Sequence, residues 1–289
     1  MHGQIIRAIN GFYYVKTDQE VFVCKSKGKF RLEGIMPLVG DFVTLQKEED
    51  GYDVISNIEK RKNEIIRPHV SNIDILLITI SAKIPKPDYM LVDKLIIQAK
   101  RNNITPIICV NKCDIAKKEL LLDVKSQYSA YKIMEVSALT KQGIDELKAV
   151  MKGQTTCLAG QSAVGKTSII NALCDINRET GTTSKKIERG KNTTREVNLI
   201  NIDENSMLFD TPGFSILNLD DIKPEELFEY YDEFLPYADK CYYNMCLHYK
   251  EPDCAVKQAV LEGKINDKRY SRYITLLEDL IEKEKTKYD

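Results

Sequence analysis

Gly160, Gly165, Lys166 and Thr167 stand as G-x-x-x-x-G-K-T within GQSAVGKT, residues 160–167. Glycines at those positions let backbone N–H groups turn inward around phosphate oxygens. Lys166 supplies a point charge for the β- and γ-phosphates, and the Thr167 hydroxyl can ligate Mg²⁺. A helix that starts here aims its positive end at the anion. The candidate phosphate-binding set is therefore Gly160, Gln161, Ser162, Ala163, Val164, Gly165, Lys166, Thr167 and Ser168. An unrelated glycine-containing turn is the alternative. The strand-like TTCLAG before the motif and the helix-like KTSIINALC after it weigh against that turn.

Phosphate chemistry does not choose a base, but NKCD, residues 111–114, can. A carboxylate at Asp114 accepts from both the ring N–H and the exocyclic amine of guanine. Adenine offers no such pair, and a buried carboxylate left unpaired is costly. Asn111 and Lys112 are placed to brace the loops and flank the ring. SAL, residues 137–139, follows the next strand. Ser137 and Ala138 join the set, and the Ala138 N–H can meet the guanine carbonyl. DTPG, residues 210–213, follows a later strand. Asp210 can hold Mg²⁺ through water and the Gly213 N–H can sense the γ-phosphate. Between them GKNTTRE, residues 190–196, puts Thr193 or Thr194 where a first switch would complete the Mg²⁺ shell.

A second constellation lies near the C-terminus. CYYNMCLHYKEPDC spaces Cys241, Cys246, His248 and Cys254 as C-x4-C-x-H-x5-C. Three thiolates and an imidazole make a closed tetrahedral zinc site, structural in kind. Buried cysteines beside an unrelated surface histidine are the alternative. The other five cysteines, Cys24, Cys109, Cys113, Cys157 and Cys174, are scattered, mostly in apolar runs, and read as small buried hydrophobes.

Three kinds of element must position these groups. Residues 1–66 carry five short β-rich runs, GQIIRAI, FYYVKT, EVFVCK, DFVTLQ and YDVISNI, with turn residues separating or bordering them. Five strands in that length suggest a small closed barrel such as an OB-fold, with a β-sandwich fragment as the alternative. From about residue 71 strands alternate with helices, which predicts a mostly parallel sheet covered on both faces. Expected helices lie over PDYMLVDKLIIQAKRNN (87–103), near 116–130, from Gly143, and over 166–174. From about 224 the chain reads as helical. PEELFEYYDEF opens a helix with proline, and a long charged helix runs to about 285. The expected domains are 1–66, 67–219 and 220–289.

The chain of 289 residues is 43% hydrophobic and 29% charged, with a net charge of −1. It reads as a folded multi-domain protein with no global basic footprint. Basic runs at 25–31, 59–67 and 184–191 are phosphate contacts or solvated faces. The start lacks the pattern of a secretory signal, and the longest apolar run, ILLITI, is too short for a bilayer. The expected compartment is the cytosol.

In an ordinary GTPase the phosphate loop precedes NKxD; here it follows. Cutting such a domain after DxxG and joining its old ends produces this order, and close termini make that permutation feasible. On these motifs the chain resembles the circularly permuted, ribosome-small-subunit-dependent GTPase A family. The resemblance spans nearly the whole length. It implies an OB-fold contacting ribosomal RNA, a permuted GTPase and a C-terminal domain holding one structural zinc. It implies slow intrinsic hydrolysis of GTP, accelerated by the small subunit, and a role in that subunit's late maturation. Mg²⁺ is expected with the nucleotide, and the chain is expected to be a monomer with no membrane attachment. Catalytic candidates are Lys166, Thr194 and Asn192, which stands where the family usually has histidine. The family's loop usually reads GQSGVGKS; Ala163 and Thr167 depart from it. Phe214 follows DTPG where Ras-like enzymes place a water-orienting glutamine. No side chain in these motifs is an evident water-positioner, so hydrolysis without a partner is expected to be very slow. Two other readings are an RNA-binding assembly factor whose affinity GTP switches, and a small-molecule kinase, against which NKxD and SAL argue.

Overall fold

A computed structural model describes residues 1–48, 51–66, 68–179, 197–203, 205–210, 219 and 221–286. The N-terminal runs form β1 (His2–Ile9), β2 (Phe12–Lys16), β3 (Val21–Ser26), β4 (Phe42–Gln46) and β5 (Asp53–Ile58), with a short helix α1 (Gly28–Leu32) after β3. Alternation along the strands buries Ile5, Val15, Cys24, Val43, Leu45 and Ile55 on one face. Asn10 and Gly11 both have positive φ, as the tight turn joining β1 to β2 requires. The strands pair in the order β1-β2-β3-β5-β4, and β4 returns to β1. That closure makes a five-stranded barrel and removes the open-sandwich alternative.

A hairpin of β6 (Glu64–Ile66) and β7 (His69–Ser71), absent from the sequence reading, links the barrel to the next layer. There follow β8 (Ile75–Ser81), α2 (Tyr89–Arg101), β9 (Thr105–Asn111), α3 (Lys118–Gln127), β10 (Lys132–Val136), α4 (Ile144–Met151), β11 (Thr155–Ala159), α5 (Lys166–Glu179), β12 (Asn198–Asn201) and β13 (Met207–Asp210). All seven residues of β8 are buried, as a central strand covered on both faces demands. The strands lie in the order β10-β9-β8-β11-β13-β12. Counted from β11, the strand that feeds the phosphate loop, this sequence of neighbours is 6-5-4-1-3-2. One sheet thus closes around a chain whose ends have moved. All its pairings are parallel except that of β12, which runs antiparallel to β13. The far edge of β12 pairs with β1 of the barrel, so eleven strands among the described residues form one hydrogen-bonded sheet.

The C-terminal region contains a 3-10 helix over Pro224–Tyr230, α6 (Leu235–Ala238), α7 (Ala255–Leu261) and α8 (Asp267–Thr286). One expectation is corrected here. PEELFEY forms a tight 3-10 helix rather than an α-helix. The long charged helix is α8, and the short α7 before it ends at Gly263, whose φ is +71°. Tyr231, Phe234, Tyr273 and Leu277 form the core of this region, and Ile97 of α2 enters it. Beside Ile97 lies a buried ionic knot. Arg269 and Arg272 of α8 both pair with Asp93 of α2, and Arg269 also pairs with Glu233 at 2.6 Å. Arg269 and Asp93 are both completely buried. The Arg269 guanidinium also lies 4.3 Å over the Tyr231 ring, a stacking that suits its planar charge.

Candidate nucleotide site and metal cluster

The parallel strands deliver their C-terminal ends to one edge of the sheet, where open α/β folds place ligands. β9 ends at Asn111, β10 leads into Ser137, β11 into Gly160, and β13 ends at Asp210. Strand register puts Phe209 opposite Cys157, so Asp210 lies beside the last residues before the phosphate loop.

The phosphate loop needs its glycines for room. Gly160 has φ +132°, and a Cβ there would stand 2.1 Å from the Thr79 carbonyl oxygen. Gly165 has φ +100°, and its Cβ would stand 2.2 Å from Asn111 Nδ2. Lys166 opens α5 and folds back over the loop, donating to the Gly160 carbonyl at 2.8 Å and to that of Gln161 at 2.6 Å. Burial alone pushes its pKa down. An anion between the loop amides would relieve that desolvation, so the lysine is poised for phosphate charge.

Asn111 joins three loops. Its Nδ2 donates to the Val164 carbonyl at 2.9 Å, and its Oδ1 accepts the Ala138 N–H at 3.2 Å. The Ala138 amide, expected at the guanine carbonyl, is thus engaged with Asn111. Ser137 is buried and its hydroxyl caps the turn through the Thr140 N–H at 3.2 Å. Lys112 Nζ donates to the Ala163 carbonyl at 3.1 Å and also to that of Ile84. Asp114 sits in the short 3-10 turn Cys113–Ile115 with its side chain exposed at the sheet edge. Ser162, Thr167 and Ser168 are likewise exposed around the loop. Asn192, Thr193, Thr194, Gly213 and Phe214 lie outside the described residues.

One participant was not visible in the motifs. The segment 82–88 after β8 leans on the loop: the Asp88 N–H donates to Gln161 Oε1 at 3.1 Å, and Ile84 receives Lys112. Its position after a central strand was the available signal.

Two profiles match the chain: one described as RsgA GTPase over residues 58–220, the other as RsgA N-terminal domain over residues 2–55. This chain belongs to the RsgA GTPase family. Relatives named small ribosomal subunit biogenesis GTPase RsgA share its full length. That of Caldanaerobacter subterraneus subsp. tengcongensis is 42% identical, with 100% of this chain and 98% of the relative covered. That of Clostridium beijerinckii is also 42% identical, with 100% of both covered. Among solved structures, YjeQ from Thermotoga maritima superposes with a TM-score of 0.83 at 34% identity, over 97% of this chain and 98% of that one. YloQ, described as a circularly permuted GTPase, gives 0.78 at 33% identity, over 97% and 95%. The RsgA architecture of barrel and permuted GTPase sheet is therefore this chain's own.

The C-terminal cluster closes as its spacing requires. The three sulfurs and the histidine nitrogen lie within 4.8 Å of one another. His248 Nδ1 is 3.5 Å from Cys241 Sγ and 3.4 Å from Cys254 Sγ, and those two sulfurs are 3.8 Å apart. A tetrahedron with Zn–S bonds of about 2.3 Å has S···S edges of roughly 3.8 Å, so the donors fit zinc. Burial pushes the His248 pKa down to about 4 and leaves the imidazole neutral, the form that binds metal. Burial also pushes the Cys246 thiol up to about 12 and raises that of Cys254. Buried thiols of that kind ionise when a cation arrives, and metal binding must release their protons.

Proposed function

We propose that this chain is a GTPase acting in biogenesis of the small ribosomal subunit, and that contact with that subunit accelerates hydrolysis. The observation that carries the nucleotide part is Asn111, one side chain tying the phosphate loop to the base-reading and SAL loops. Guanine is read by Asp114, with Lys112 along the ring. Phosphates lie against the amides of Gly160 to Ser168, with Lys166 supplying charge. Mg²⁺ would be held by Thr167, by Asp210 through water, and by Thr193 or Thr194; hydroxyl and carboxylate oxygens suit that hard cation. Bound there, it neutralises charge on the transferring phosphoryl group. Lys166, Thr194 and Asn192 are the catalytic candidates, and Gly213 is the γ-phosphate sensor. One zinc per chain on Cys241, Cys246, His248 and Cys254 acts as a structural staple.

The barrel (1–66) is assigned to ribosomal RNA, 67–219 to GTP and GDP, and 220–289 to the zinc-bearing appendage. The family's ribosomal role supports the RNA assignment and a cytoplasmic place of action, and the chain is taken to act as a monomer; among the described residues no helix is long and apolar enough to cross a membrane. GTP turnover by the purified chain, with and without purified small subunits, is the test. Strong stimulation is expected. Turnover that is fast alone, or unchanged by subunits, would sink the proposal.

A further inference from the structure

Two left-handed residues other than glycine meet at the phosphate loop. Ala163 has φ +63° and Lys112 has φ +66°. For such residues this region is unfavourable, because Cβ crowds the carbonyl oxygen. Gly160 and Gly165 are glycines because a Cβ would collide with fixed atoms. Ala163 differs: its side chain is exposed, so its methyl group has room. What it carries is conformational strain alone. The restraints on Ala163 itself and on its neighbour Val164 come from the base-reading loop. Lys112 Nζ binds the carbonyl of Ala163, and Asn111 Nδ2 binds the carbonyl of Val164.

We infer that Ala163 is a positioning residue that lowers nucleotide affinity and makes the phosphate loop depend on the base-reading loop. Relaxation of Ala163 to right-handed or extended backbone would turn its neighbouring amides away from the anion. Guanine seated at Asp114 and Lys112 fixes the base-reading loop, and with it the grip that keeps Ala163 left-handed. Phosphate binding and guanine recognition are coupled through this strained turn. Glycine at 163 would adopt the same conformation unaided, and the coupling would fade. The inference rests on the guanine-nucleotide reading of the site.

Binding and release of a fluorescent GDP analogue would be measured for the unaltered chain, A163G, K112M and the double variant. Melting temperatures would be taken with and without Mg²⁺-GDP. Lys112→Met keeps the apolar stem beside the ring and removes the donor. Glycine at 163 should slow release about five- to tenfold, the equivalent of relieving most of the left-handed penalty. Lys112→Met should weaken binding, and by a factor at least about threefold smaller when glycine stands at 163. Independent penalties would overturn the inference. So would unchanged or faster release from A163G, including the case where its melting temperature rises equally with and without nucleotide. Failure of the unaltered chain to prefer the GDP analogue over its ADP counterpart would overturn the site reading itself.

Discussion

Asn111 and Asp114 share a tetrapeptide but act in different directions. Asn111 faces inward, is buried, and holds loops together; Asp114 faces the sheet edge and is open to a ligand. Their substitutions should therefore fail differently. Asp114→Asn replaces one acceptor oxygen with a donor that guanine's amine cannot use. Xanthine carries a carbonyl at that ring position. The variant should lose at least about a hundredfold in GTP affinity and gain affinity for XTP, which competition binding with the two nucleotides would measure. Equal loss for both would show that Asp114 supports the loop rather than reading the base. At this scale the motifs were legible because phosphate and guanine dictate residue type and spacing. The strain at Ala163 was not: a φ angle depends on how the whole loop is gripped, and the grip comes from 51 residues away in sequence.

Among the elements, α2 and α8 are tied by the buried ionic knot between the sheet and the C-terminal region. Removing Arg269 leaves Asp93 with one remaining arginine and Glu233 without its ion-pair partner, in a largely buried cluster. Arg269→Met should destabilise the chain by about 3 kcal/mol or more, read as a drop in the denaturant midpoint. A loss under about 1 kcal/mol would mean the knot is well solvated. Neither helix announces this pairing in sequence. Asp93 reads as one polar residue in an amphipathic helix, and its arginine partners lie more than 170 residues away. The zinc loop has a local brace of its own. Burial opposes ionisation of Glu251, yet backbone N–H groups, including those of Tyr249 at 2.8 Å and Leu247 at 2.9 Å, hold its pKa below the ordinary 4.5. A carboxylate depressed in the folded state stabilises fully above its unfolded pKa. That contribution is lost as pH falls through the folded value. Glu251→Gln should therefore lower the melting temperature at pH 7, and the gap between the two proteins should narrow in acid below about pH 4.5. A gap that stays constant with pH would assign the effect to shape rather than charge. The proline that opens PEELFEY marked a helix start correctly but could not tell 3-10 from α, because the two share their first turn. Gly263, just past the end of α7, sat in plain view as a C-terminal stop.

At the level of the whole molecule, the permutation was legible from motif order alone, and the barrel from five alternating runs. What no local pattern could reveal is that the two share one sheet. Arg7 of β1 lies opposite Asn198 of β12. β12 would otherwise be the outermost strand on its side, presenting unpaired N–H and C=O groups to any passing chain. β1 meets it with its second half, while its first half closes the barrel on β4, so the barrel takes up that edge and stops the sheet from growing. Two units that look separable along the chain are thus bound by a duty of containment. A chain lacking residues 1–58 should keep its nucleotide motifs yet self-associate with rising concentration, which light scattering would detect. If that fragment stays monomeric, β12 protects its own edge. Otherwise the barrel is also a guard against aggregation, and its loss would be felt in solubility before it was felt in chemistry.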